Sequence, residues 1–125
     1  MYFIASRNDK DSLELSKSII AYLKKKKLDF EIDRNAKVTG SKKSISETYA
    51  DYILAIGDDN LILETFRNLG KKQIPILGIA SMQSFLAQSD AALFQQHIDL
   101  IGRKRYAIQK KSRIVASFNN QKYPA

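Results

Sequence analysis

Cysteine is absent from the chain, which excludes disulfides and thiolate chemistry. Histidine occurs once, at His97, so a histidine-based metal site is not expected. No apolar run approaches the roughly 20 residues that span a bilayer, and the first residues carry no signal-peptide pattern. The default expectation is a cytoplasmic protein without membrane attachment. Internal repeats and low-complexity tracts are missing as well. What is present, 125 residues with 44% hydrophobic and 27% charged side chains, has the make-up of an ordinary globular protein built around one main domain.

The charge balance is lopsided. Lys and Arg number 21 against 13 Asp and Glu, a formal net charge of +8, which admits an anionic partner: nucleic acid, nucleotide or an acidic surface. The basic residues gather at Lys24 to Lys27, Lys42-Lys43, Lys71-Lys72, Arg103 to Arg105 and Lys110 to Arg113, mostly at the expected ends of elements and in loops. Cations near helix C-termini complement the helix dipole. This placement favours solvated helix ends over a nucleic-acid groove, and no RRM, KH or zinc-finger signature supports the latter.

The chain is organised around Asp51 to Ala80. Tyr52 to Ile56 is a short apolar run without polar alternation, which suits a strand covered on both faces of a parallel sheet. It stops at Gly57 and the acidic pair Asp58-Asp59. After Asn60, Leu61, Ile62, Phe66 and Leu69 recur at helical spacing, and Gly70 stands where a helix C-cap glycine belongs. Gln73 to Ala80 is a second apolar run, with Pro75 demanding the strand's first position or an exposed one. The unit reads as strand, acidic turn, helix, strand: a βαβ crossover. A ligand for such a sheet is expected at the strands' carboxyl ends, where Gly57 to Asn60 falls.

A similar unit precedes it. Tyr2 to Ser6 reads as a strand ending in the turn-forming and helix-capping segment Arg7-Asn8-Asp9. Asp11 to Lys27 carries the helical stripe Ser16, Ile19, Ile20 and Leu23. Leu28 to Asp33 alternates as a second strand, with Leu28, Phe30 and Ile32 on one face. Arg34 to Thr48 is polar and reads as a surface loop or a short helix near Ser44 to Tyr49. Beyond Ala80, helices are expected over Met82 to Ala87 and Asp90 to Ile101. The second carries the stripe Leu93, Phe94, His97, Leu100 and Ile101, which makes His97 a core or boundary residue rather than a catalytic one. Tyr106 to Phe118 alternates as one long strand, interrupted at Lys110 and Ser112. Such a terminal strand leaves its domain for another or joins a partner's sheet, so a homo-oligomer through this segment is expected, because an uncovered edge invites aggregation.

Two adjacent carboxylates in one turn cannot both cap a helix. One of Asp58 and Asp59 serves as N-cap; the other faces solvent, a cation or a ligand. A carboxylate here is placed to accept from a ribose hydroxyl, act as general base or hold Mg²⁺ through water.

The segment 51–79 resembles the NAD kinase family, whose corresponding stretch runs hydrophobic strand, GGDGT, apolar helix and IPILGIN. IPILGI, at Ile74 to Ile79, is the closest literal agreement. Tyr2 to Lys27 is placed like the start of that family's first domain. Tyr106 to Ile114 resembles its strand of the form Y-x-I-x-x-R-x-R-L, which leads out of the first domain. Gly57 aligns with the motif's first glycine and Asp59 with its central Asp; Asp58, Asn60 and Leu61 replace the other Gly, Gly and Thr. Asp58 adds bulk and negative charge where phosphates come close, and Asn60 substitutes for a glycine in left-handed geometry. In the family's second signature, GxNxGxLGFL, Gly78, Phe85 and Leu86 are retained.

The resemblance implies an α/β, Rossmann-like parallel sheet flanked by helices. Residues 1–104 would form the nucleotide-binding-like domain, and 105–125 would lead toward a second, β-rich domain. It implies Mg²⁺-dependent phosphoryl transfer from ATP or polyphosphate to the 2′-hydroxyl of NAD, with Asp59 in the catalytic role and Gly57, Asp58, Asn60 and Phe85 at the nucleotide. This chain, a fragment or a short relative, is then expected to be weak or inactive by itself. Two alternatives stand beside this: a non-catalytic nucleotide-binding or regulatory domain of the same fold, and a relative of the diacylglycerol-type lipid kinases, where Glu64 falls at the position of a motif glutamate.

Overall fold

A computed structural model describes residues 1–38, 40, 42–82, 84, 86–103, 106–109 and 114–118. The apolar run of the opening segment becomes β1 (Tyr2–Ser6), buried at every position. Asp9 then caps α1 (Lys10–Lys25), accepting a hydrogen bond from the Ser12 amide, as its place after a strand suggests. The chain continues through β2 (Phe30–Asp33), β3 (Lys42–Lys43), β4 (Tyr52–Gly57), α2 (Asp59–Leu69) and β5 (Ile76–Ala80). It closes with β6 (Ser89–Asp90), α3 (Phe94–Gly102), β7 (Tyr106–Gln109) and β8 (Ile114–Phe118).

All of these strands join one sheet in the order β3-β2-β1-β4-β5-β8-β7, with β6 paired to β5 beside that path. Every pairing is parallel except β7 with β8. The fold is therefore α/β and Rossmann-like, as the sequence indicates. The unpatterned strands are explained by two apolar layers. Ile4, Leu54, Ile56, Leu77 and Ile79 pack with Ile19 and Leu23 of α1 and with Phe94 and Ile98 of α3. Phe3, Ala5, Ile53, Ala55 and Ile76 pack on the other face with Ile62 and Leu69 of α2. Successive residues of β4 thus enter opposite layers, which is why an amphipathic alternation is absent. No described helix is long and apolar enough to cross a membrane.

Four expectations are corrected. The described residues of Arg34 to Thr48 form neither a helix nor loop alone: Lys42–Lys43 adds a two-residue strand beside β2. The Lys42 ammonium closes this loop by donating to the Ala36 and Val38 carbonyls. The described residues of 82–87 are not helical, because side chains take their amides, as shown below. The helix expected from Asp90 begins at Phe94, since Ser89–Asp90 is drawn into the sheet and Asp90 caps the following turn, accepting from the Ala92 and Leu93 amides. Finally, Tyr106 to Phe118 is two antiparallel strands instead of one, and β8 returns to lie parallel to β5. The interruption read at Lys110 and Ser112 lies outside the described residues.

His97 behaves as its stripe suggests. It is 4% exposed on α3, and burial lowers its pKa below the ordinary histidine value, partly opposed by Asp90. A histidine that protonates less readily when folded contributes stability above its unfolded pKa, and that contribution fades as pH falls. The thermal midpoint should drop by several degrees between pH 7.5 and 5.5, and His97→Gln should flatten that slope; differential scanning fluorimetry across buffers measures both.

Candidate functional site at the carboxyl edge of the sheet

The parallel registers deliver three strand ends to one place. Ser6 of β1 lies opposite Ile56 of β4, and Gly57 of β4 opposite Ala80 of β5. The turns that follow are joined through the backbone: the Arg7 amide donates to the Ile56 carbonyl and the Ser81 amide to that of Gly57, both at 3.0 Å. Gly57 has φ 156°, and a Cβ there would come within 3.0 Å of Arg7 Cγ and 3.1 Å of Leu61 Cβ. Glycine is therefore needed for the conformation and for the passage of the Arg7 side chain across the turn.

Of the two carboxylates, Asp58 is the N-cap. Its Oδ1 accepts from the Leu61 amide at 3.0 Å, and its Oδ2 pairs with Arg7 Nη1 at 2.6 Å. Arg7 Nε reaches Asp9 Oδ1 at 3.1 Å, so one guanidinium joins the capping carboxylates of α1 and α2. Burial works to raise the pKa of Asp9, but hydrogen bonds from Ser12 and Arg7 prevail and hold it below the ordinary carboxylate value. The extra negative charge that Asp58 brings is answered by Arg7, which sequence reasoning passed over as part of a turn. Its position after a β1 that must neighbour β4 was the available signal.

Asp59 is the first residue of α2 and reaches the segment that follows β5. Its Oδ1 accepts from the Leu86 amide at 3.1 Å and from the Ser84 hydroxyl. Ser84 Oγ in turn accepts from the Leu86 and Ala87 amides at 3.2 and 3.1 Å. These bonds use the donors that a helix over 82–87 would need, which is the reason the described residues of that segment are not helical. Gln88 completes the clamp: its Oε1 accepts from the Gly78 amide, and its own amide donates to the Gly78 carbonyl. Asn60 corrects the expectation of left-handed geometry, since it lies within α2 and has no positive φ. Gly57, Asp58 and Asp59 are thus brought together with Ser84 and Leu86; Phe85 lies outside the described residues.

Close approach at Gly78 holds this arrangement. A Cβ there would stand 2.7 Å from Ile62 Cδ1 and 3.1 Å from Ala87 Cα. Gly78→Ala should push the 84–88 segment away from α2 and cost about 1–3 kcal/mol, measurable by urea denaturation.

Beside the turn, a cavity of about 610 Å³ opens at the ends of β5 and β6, lined by Ser81, Met82, Ser84, Gln88 and Asp90 among others. Asp59 does not line this cavity; it holds Ser84, which does. No group of three or more Asp, Glu or His among the described residues is arranged to hold a metal ion, and Asp58 and Asp59 are committed as described. Among the described residues the donor set does not fit a protein-held Mg²⁺.

No protein-family model matches the chain. Among curated proteins, it is 27% identical to an NAD kinase of Methanosphaera stadtmanae over 125 aligned positions, covering 94% of this chain and 46% of that protein. An NAD kinase of Methanothermobacter thermautotrophicus is 26% identical across 92% of this chain and 42% of its own length. One of Clostridium kluyveri is 34% identical across 70 residues, 55% of this chain and 25% of the relative. The chain is similar in sequence to NAD kinases over most of its length. It spans less than half the length of these relatives, and its α/β sheet with flanking helices is like the N-terminal domain of that family. The Gly57 turn and the segment after β5, the two stretches that resemble signatures of those kinases, are tied together by Asp59.

Proposed function

We propose that the chain supplies the nucleotide-handling half of an NAD kinase-type phosphotransferase. The reaction would move a phosphoryl group from ATP or polyphosphate to the 2′-hydroxyl of NAD, with Mg²⁺ arriving on the phosphates of the nucleotide. The observation that carries this reading is the placement of Asp59 where the carboxyl end of β4 meets the segment after β5. Phosphoryl transfer depends chiefly on positioning and charge neutralisation. In this reading the Asp59 charge bears on the dinucleotide itself, while its bonds to Ser84 and Leu86 fix the loop against which the dinucleotide lies, and residues 105–125 lead toward the domain that completes the site. The chain by itself is then weak or inactive. It is read as cytoplasmic and as a homo-oligomer through the β7 edge, which among the described strands has a neighbour on one side only. A monomer at high concentration in light scattering counts against that assembly.

A second reading, a nucleotide-binding domain that has lost its chemistry, is favoured by one feature. The Asp58 carboxylate, paired with Arg7, sits at the N-terminus of α2, where a phosphate would otherwise find amide donors. Calorimetric titration of NAD and ATP, with and without Mg²⁺, tests both. Saturable NAD binding that Asp59→Asn abolishes supports the kinase-derived site, and NADP formation separates an active chain from an inert one. Absence of binding by either nucleotide refutes both readings.

A further inference from the structure

On the α2 side of the sheet, the ends of β1 and β2 open into a cavity of about 420 Å³. It adjoins a second of about 350 Å³. Asp33, Asn35, Ile45 and Asn68 line both, so the two form one groove with Asp33 in the shared wall. The strand order departs in opposite directions from β1, to β2 on one side and β4 on the other. Ligands of open parallel sheets settle beside such a switch point, and the volume is within the range of about 300–1,000 Å³ common to small-molecule sites.

The lining accepts hydrogen bonds and offers no uncommitted cation among its described residues. Arg7 at the rim is held by Asp9 and Asp58, and Arg34 by Glu47 at 3.3 Å. Facing the groove are the carboxylates of Asp33 and Glu64 and the carboxamides of Asn35 and Asn68. Among the described residues, no hydrogen bond engages the side chains of Asn35, Glu64 or Asn68. Asp33 is half-buried at the end of β2. Burial raises its pKa, with Glu64 adding to the effect, while the Arg34 and Asn35 amides and Lys42 oppose it. A phosphate entering here would meet two carboxylates. Hydroxyl groups would instead find acceptors, and an apolar ring edge would find Leu61 and Ile45.

We propose that this groove binds the sugar of a ribonucleoside, with the Asp33 carboxylate accepting from its cis-diol and the phosphates directed out of the groove. The assignment rests on the reading that the mouth of this sheet takes nucleotides. It adds a second subsite, distinct from the Asp59 loop and selective for hydroxyls over phosphate.

Adenosine, 2′,3′-dideoxyadenosine and ATP titrated separately into the chain, followed by amide chemical shifts and calorimetry, test the proposal. Adenosine should bind saturably and shift the Asn35 and Thr65 amides. The dideoxy compound should bind at least about ten-fold more weakly, for want of two bonds to a charged acceptor, and ATP no more tightly than adenosine. Asp33→Asn should weaken adenosine about ten-fold, while Glu64→Gln, on an exposed face of α2, gives a second variant that does not threaten folding and should weaken it less. Equal binding of the dideoxy compound, ATP binding ten-fold tighter than adenosine as read by the Asn35 and Thr65 amides, or no saturable adenosine binding overturns the subsite. The variants separate the two readings. If Asp59→Asn and Asp59→Ala both leave NAD binding intact while Asp33→Asn abolishes adenosine binding, the groove stands and the kinase-derived site falls. If adenosine is lost in Asp59→Asn and kept in Asp33→Asn, the groove falls.

Discussion

Leu54→Ala should lower the stability of the chain by about 3–5 kcal/mol and its thermal midpoint by roughly 10–20 °C. Leu54 is fully buried in β4, opposite Ile4 of β1 and Leu77 of β5, in the layer covered by α1 and α3. Removing its branched end leaves a cavity that the two neighbouring strands, fixed by their own hydrogen bonds, cannot close. Ile53→Ala should cost a similar amount for an independent reason, because Ile53 enters the opposite layer under α2. Lys17, exposed on α1, is the control: Lys17→Ala should stay within about 0.5 kcal/mol. Against a total of about 5–15 kcal/mol for a domain of this kind, the core variants leave a narrow margin. A loss under 1 kcal/mol at either position would mean that β4 is not central to the sheet. Denaturant titration followed by circular dichroism decides this.

That central strand was legible because continuous apolar runs with β-branched residues have few other uses in a chain of this composition. The helix stripes of α1 and α2 were equally plain: Ser16, Ile19, Ile20 and Leu23 are all buried, and so are Ile62 and Leu69. The misread segments share a different cause. In 82–87 local propensity favours helix, but Asp59, about 25 residues earlier in sequence, supplies an acceptor that captures the amides first. Lys42–Lys43 has no apolar signal at all; it joins the sheet because β2 presents an open edge and Lys42 ties the loop to its own carbonyls. The site divides the same way. The turn Gly57-Asp58-Asp59 could be singled out from spacing, since it ends a buried strand. Which carboxylate caps the helix, and that Arg7 answers it, depends on the pairing of β1 with β4 and so on tertiary structure. The Asp33 groove was missed entirely, because its lining comes from four separate elements with no shared local pattern.

Asp59→Ala is the second large effect expected, and it separates two roles that one side chain can hold. The carboxylate accepts from the Leu86 amide and the Ser84 hydroxyl, and it lies in the first turn of α2, where a negative charge is favoured. Hydrogen bonds to an ionised group contribute about 1.5–3 kcal/mol each, and the partly exposed position reduces that figure. A net loss of about 2–4 kcal/mol is expected, with faster hydrogen exchange at the Leu86 and Ala87 amides, whose acceptor Ser84 also loses its anchor. Asp59→Asn retains an acceptor oxygen, so the segment after β5 should stay in place, at a cost of about 1 kcal/mol from lost charge. The comparison is therefore informative in the ligand assay as well. If NAD binding disappears in the Asn variant while Leu86 remains protected, the charge acts on the dinucleotide. If binding survives in Asn and disappears only in Ala, Asp59 works through the loop it holds, and the dinucleotide must find its catalytic carboxylate elsewhere.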